Sequence, residues 1–169
     1  TLWIDRQPKM NTMTVAMRNE FPGIFRDLEA DDAVRAIVIR GAGDKFFCIG
    51  GEHDEHDPRM HYGTTMPVMD LYDLTDKLSK PIIAMVNGFA VGGGNVLALM
   101  CDFTIAAEGA QFGEIQIRHG FPPPMLVTPF LVGIKHAKEL MMTGNAFDAE
   151  TAFRMGLVNR VVPVERLDE

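Results

Sequence analysis

The stretch KPIIAMVNGFAVGGGNVLALMCD, Lys80 to Asp102, constrains this chain more than any other. Five apolar residues, Ile82 to Val86, run into an Asn87-Gly88 turn, and three consecutive glycines, Gly92 to Gly94, then open a second apolar run from Val96 to Met100. That order reads as a short buried strand, a turn and a helix start. Residues 81–101 carry no charge over a span as long as a membrane helix. Pro81, the Asn-Gly turn, the glycines and Asn95 would break such a helix in several places, and lipid leaves broken backbone unsatisfied. Glycines just before a helix leave backbone N–H groups bare, because no Cβ shields them. Bare N–H groups at a helix start attract negative charge. The segment therefore predicts a place where an anion, or an oxygen becoming anionic, is held by backbone alone.

The rest of the chain fits a single domain over residues 1–169, long enough for a sizeable core. A net charge of -7 argues against a nucleic-acid partner, which would want a basic face, but not against a phosphorylated small molecule. Cys48 and Cys101 both sit in apolar surroundings and read as reduced core residues, which suits a cytoplasmic setting. Asp5, Arg6 and Lys9 interrupt any apolar run of the kind that opens a secretory signal.

Strands are expected at Leu2 to Asp5, Ala36 to Ile39, Phe103 to Ala106, near Gln111-Phe112 and at Leu157 to Val162, with a short apolar run from Phe46 to Gly51. Helices are expected at Thr14 to Ala30, Val68 to Leu78, Leu126 to Val132 and Lys135 to Met142. A further helix runs to Met155 with Asp148 as its N-cap. In the first helix Met17, Phe21, Ile24, Phe25 and Leu28 share a face, although Pro22 and Gly23 weaken it. Gly41 to Asp44 is a loop. Strands alternating with helices imply an α/β fold with parallel pairing.

Four blocks then have to be read together: Gly43 to Gly51 (GDKFFCIGG), the glycine segment, Ala106 to Gly113 (AAEGAQFG), and Met142 to Gly144 with Ala149 to Pro163. Their order and spacing resemble the crotonase (enoyl-CoA hydratase/isomerase) superfamily across nearly the whole chain. The resemblance implies a spiral of ββα repeats and acyl-CoA thioester chemistry through an enolate. It assigns the backbone N–H groups of Gly51 and Gly93 to an oxyanion hole. Two such donors aimed at a thioester oxygen stabilise the charge that develops there, and one alone is typically worth ~10²–10³ in rate. Gly51 stands where the family usually has Ala. Coenzyme A, as part of the substrate, is expected along Gly51, Glu52, His53 and Asp54, with Lys9 and Met10 near the adenine and Lys45 as a phosphate partner. No separate cofactor is implied. The resemblance also implies a homotrimer or a dimer of trimers. It further implies that relatives carry a strand before Leu2 and oligomerisation helices after Glu169, so that a C-terminal helical segment is absent from this chain.

Two departures limit the expected chemistry. Hydratases of this family use one glutamate two residues after the GGG, here Val96, and another closing FG-x-x-E, here Gln116. Neither residue moves a proton, and a positioned acid/base is worth ~10²–10⁴. Glu114, His119, and His53 with Asp54 are the alternative acid/base candidates. For Glu114 the competing role is a surface carboxylate or a partner for Arg118. The run HDEHD, His53 to Asp57, has the residue types of a metal site, but an acidic polar loop is the plainer account and no metal is expected. GFPPPMLV, Gly120 to Val127, resembles the GIPPGNLV region of hydroxycinnamoyl-CoA hydratase-lyases, which also lack the first glutamate but keep the second. An apolar acyl pocket lined by Phe121, Met125, Leu126 and Phe89, with Gly92, Val96 and Gln116 beside it, is the expectation. Hydration or isomerisation leads, with retro-aldol lyase, decarboxylation and hydrolysis open. A CoA-ester binding protein without turnover is a further alternative, as is a structural subunit acting through oligomer contacts.

Overall fold

The computed structural model describes residues 1–52, 73–123 and 127–169. Along the chain come β1 (Leu2–Ile4), α1 (Val15–Ala30), β2 (Ile37–Gly41), β3 (Phe46–Cys48), β4 (Ile82–Val86), β5 (Phe89–Val91) and α2 (Gly93–Leu99). They are followed by β6 (Phe103–Ala107), β7 (Gln111–Gly113), α3 (Thr128–Val132), α4 (Ile134–Thr143), β8 (Phe147–Asp148), α5 (Ala149–Met155) and β9 (Arg160–Val162). Residues 73–76 are helical as well.

The strands divide between two sheets. One has the order β1-β2-β4-β6-β9, the other β3-β5-β7-β8. Each successive pair, β2/β3, β4/β5 and β6/β7, therefore gives one strand to each sheet. Among the described residues all ladders are parallel except β7–β8. The alternation of buried and half-buried residues along Ile37–Gly41 and Ile82–Val86 is the period-two signature that sets this pairing. The corners between paired strands stack on one another. Asn87 Nδ2 donates to the Gly43 carbonyl at 2.8 Å and Phe89 N–H to the Lys45 carbonyl at 3.0 Å. A Cβ on Gly88 would lie 2.1 Å from the Lys45 oxygen, so only glycine lets these corners close.

Phe25, Phe47, Phe112, Ile39, Ile82, Val86 and Leu140 are fully buried in one core cluster. α1 reaches this core through Phe21 and Phe25, whose rings stack at 5.9 Å. Its start is fixed by Thr14, which accepts a hydrogen bond from the Met17 N–H, and Pro22 is carried inside the helix. Asp148 caps α5 as expected, accepting from the Thr151 N–H at 2.7 Å. Cys48 and Cys101 are free thiols, and burial pushes the Cys48 thiol up to about 12.

Several boundaries differ from the sequence reading. β5 is a strand of its own, where a turn alone was expected before the glycines. The last strand is confined to Arg160–Val162, because Gly156 in the left-handed conformation ends α5 and Leu157 follows it in a turn. Of the helix expected over Val68 to Leu78, positions 68–72 lie outside the described residues. Among the described residues no helix is long and apolar enough to cross a membrane.

Candidate functional site

β3, β5 and β7 are parallel neighbours, so their C-terminal ends open on the same side of the sheet. That is the side on which α/β sheets present loops to ligands.

At the end of β3 the chain passes through Gly50, at φ +104, into Gly51. Met13 N–H donates to the Gly50 carbonyl at 2.8 Å and Glu52 N–H to the Met13 carbonyl at 2.9 Å. These two bonds bracket Gly51 in a parallel bridge with Met13. In such a bridge the bracketed residue turns its own N–H and C=O to the opposite side. The N–H of Gly51 is thereby directed away from the Met13 strand.

At the end of β5, Gly92 adopts φ 55 and ψ -126, a conformation that side chains other than hydrogen rarely allow. Its N–H donates to the Gly113 carbonyl at 2.8 Å, tying the end of β5 to the end of β7. Gly93 is the first residue of α2, so its N–H has no partner within the helix. A Cβ on Gly94 would lie 1.9 Å from the Cys48 carbonyl oxygen, which shows how closely α2 lies against β3. A Cβ on Gly93 would stand 3.2 Å from Gly50 Cα and 3.5 Å from Gly51 N. The backbone N–H groups of Gly51 and Gly93 are thus neighbours, and a methyl group on Gly93 would press on the Gly50 Cα.

At the end of β7 stands Glu114, which is completely buried. Asn95 Nδ2 donates to its Oε1 at 2.5 Å, and Gln116 Nε2 donates to its Oε2. Burial pushes the Glu114 carboxyl up, and the two amide donors act against that shift. The Asn95 Oδ1 and Gln116 Oε1 atoms are buried without a hydrogen-bond partner. The Gln116 Oε1 lies 3.4 Å from where a Gly92 Cβ would be, so this amide borders the glycine loop. Val96, one helical turn past Gly92, is buried and apolar.

The expected site residues divide accordingly. Gly51, Gly92, Gly93, Val96, Glu114 and Gln116 come together. The alternative of Glu114 as a surface carboxylate or an Arg118 partner does not hold, since Arg118 bonds the Asn145 side chain at 2.6 Å instead. Glu52 lies beside this group, but its N–H is spent on Met13 and its carboxylate on Arg6 at 2.9 Å, which holds the carboxyl low. Lys9 is exposed and near enough to lower Glu52 further through its charge, and Met10 follows in the left-handed conformation. Phe121 is half-buried, its N–H donating to the Gln116 carbonyl at 3.1 Å.

Three expectations do not meet the site. Phe89 begins β5, so it stands at the far end of that strand from Gly92, against Phe46, with ring centroids 5.8 Å apart and ring planes tilted by 34°. Lys45 is exposed at the corresponding far end of β3. His119 is exposed at the end of the short turn Ile115–His119, and no hydrogen bond links it to Glu114, Gln116 or Asn95. His53, Asp54 and the rest of HDEHD, with Met125 and Leu126, lie outside the described residues.

Two residues at the site were not anticipated. Asn95 interrupts the apolar run after the glycines, a signal available in the sequence. Arg18 carried none. It follows Met17 on α1, yet its guanidinium comes within 3.7–3.9 Å of where a Gly51 Cβ would be.

The profile of the enoyl-CoA hydratase/isomerase family matches residues 2–169. A crotonyl-CoA hydratase of Syntrophomonas wolfei subsp. wolfei is 36% identical over an alignment covering 98% of this chain and 66% of that protein. The chain thus spans just under two thirds of that relative's length. Among solved structures, an enoyl-CoA hydratase from Mycobacterium smegmatis superposes with a TM-score of 0.90 at 32% identity, covering 98% of this chain and 66% of the other. An enoyl-CoA hydratase from Bacillus anthracis gives 0.85 at 32% identity, covering 98% and 67%. The two-sheet frame, the strand ends it aligns and these likenesses agree, and the chain belongs to the enoyl-CoA hydratase/isomerase family, with the crotonase fold.

Proposed function

We propose that this chain acts on an acyl-CoA thioester, holding the carbonyl oxygen between the N–H groups of Gly51 and Gly93 while an enolate forms. The observation that carries this reading is the adjacency of those two donors. One is turned away from Met13 by the bridge at Gly51, the other is left open as the first residue of α2. Donors fixed before the reaction cost no reorganisation when charge develops on the oxygen, which is why they act on the transition state more than on the substrate.

Glu114 is the proton carrier in this proposal. Val96 and Gln116 occupy the positions where the family has glutamates, and neither titrates. Glu114 is the carboxyl at the end of β7, and burial favours its protonated form, the form a general acid needs. Asn95 and Gln116 fix its two oxygens, and Gln116 borders the glycine loop. Hydration or isomerisation of an enoyl thioester is the reaction class proposed, with a hydratase-lyase reaction as a narrower variant.

The test is turnover of an enoyl-CoA by wild type and E114Q. E114Q is expected to lower kcat by about 10²–10⁴-fold with a smaller change in KM. Undiminished turnover removes Glu114 from the mechanism. The buried apolar Val96 and the amide of Gln116 favour a second reading, CoA-ester binding without turnover. Calorimetric binding by a wild type inert toward enoyl-, β-hydroxyacyl- and malonyl-type thioesters would select it.

A further inference from the structure

Arg18 is the group near the proposed oxyanion donors that this chemistry leaves unused. Its Nη1, Cζ and Nη2 lie 3.7, 3.8 and 3.9 Å from the position a Gly51 Cβ would take. Near-equal distances to all three atoms mean that the flat face of the guanidinium covers Gly51. Its N–H edges then point sideways, in the plane. Nε makes a long 3.4 Å contact with the Thr14 carbonyl, inside the same helix turn. Nη2 is buried and has no hydrogen-bond partner. No carboxylate pairs with Arg18 among the described residues, and burial alone shifts its guanidinium down.

A guanidinium stays charged in a protein, and a buried donor without an acceptor costs free energy. A ligand that supplies an acceptor would relieve that cost. The planar fork suits a carboxylate, which takes two parallel N–H bonds. The glycine at position 51 matters here. Alanine in its place would put a methyl group between the guanidinium face and the space beside the Gly51 peptide.

We propose that Arg18 is a specificity-determining residue that binds a carboxylate carried on the acyl group, so that the preferred substrates are thioesters of short dicarboxylic acids. The assignment rests on the acyl-thioester reading above. The guanidinium lies 3.7–3.9 Å from where a Gly51 Cβ would be, so a thioester oxygen held at the Gly51 N–H would start the acyl chain beside Arg18. The phosphates of coenzyme A lie a whole pantetheine arm away on the other side of the sulfur.

The experiment is calorimetric titration of the full chain with succinyl-CoA and butyryl-CoA, which have the same number of acyl carbons. It is repeated with the N-acetylcysteamine thioesters of the same acids, which carry no phosphate. Wild type is expected to bind the succinyl member of each pair ~10- to 100-fold more tightly, the scale of a charge-assisted bidentate contact. In R18Q that ratio falls toward one, and in R18K, which keeps the charge and loses the fork, it is intermediate. The wild-type ratio needs no variant to fold. Equal binding of both acids by wild type overturns the role of Arg18 and leaves the acyl-thioester reading standing. Loss of affinity for both CoA thioesters alike in R18Q, with no change in the N-acetylcysteamine pair, assigns the partner to a CoA phosphate and overturns the acyl assignment. Failure of wild type to bind any of the four overturns both readings.

Discussion

Asn11 is fully buried at φ +56, a left-handed conformation that Asn tolerates better than most side chains. Its Nδ2 donates to the carbonyls of Ala42 at 2.9 Å and Phe46 at 2.7 Å, and its Oδ1 accepts from the Arg6 N–H at 3.0 Å. One side chain therefore fastens the turn before α1 to the corner between β2 and β3. Met13, two residues on, is the partner of Gly51. N11A is expected to lose on the order of 3 kcal/mol in urea unfolding, because each buried group left unpaired costs roughly 1–3 kcal/mol. A loss below about 1 kcal/mol would mean that water replaces the amide. Residues of this kind are hard to read from a sequence, because their meaning lies in partners far along the chain. Glu114 was legible as a carboxyl near the FG motif. That it is gripped by Asn95, nineteen positions away, was not. Arg18 is the sharper case, since nothing in its own neighbourhood distinguishes it from a solvated helix charge.

At the scale of elements, the three glycines serve different ends. Gly92 supplies a backbone angle, Gly93 lets the Gly50 Cα come close, and Gly94 admits the carbonyl of Cys48. G94A is expected to drive α2 off β3 and cost at least the top of the roughly 1–3 kcal/mol that overpacking usually brings. A thermal melt and calorimetric thioester binding check it, and an unchanged melting temperature would refute so close an approach. The glycine segment was legible because its signals are local: an apolar run, an Asn-Gly turn and a helix start. The Asp148 cap and the helix it begins were legible for the same reason. β5 was missed because three residues are too few to show a period. Its strand character comes from flanking β3 and β7, not from its own pattern. Leu157 reads as strand from its apolar character and is withheld from the ladder by the left-handed Gly156.

For the whole molecule, the buried Glu114 carboxyl leaves a mark on stability. Its proton is held more tightly in the folded chain than in the unfolded one. The resulting stability is fully present below the unfolded carboxylate value of about 4.3 and is lost as pH rises through the higher folded value. E114Q does not titrate. Urea unfolding from about pH 4 to 8 is expected to show a stability decline in wild type that is shallower in E114Q. Coincident curves would mean that the carboxyl is not desolvated in solution. The division of strands between two sheets has a consequence in time. Among the described residues every ladder except β7–β8 joins strands in parallel, so none of those pairings closes as a hairpin. The residues of the candidate site lie at positions 51, 93 and 114, with Arg18 beside Gly51, in segments that meet only when successive strand pairs have stacked. A chain assembled through such distant pairings folds slowly. On the proposed reading, binding competence arrives with the last strand pair to dock, and recovery of thioester binding on refolding should follow the slowest phase of the whole chain.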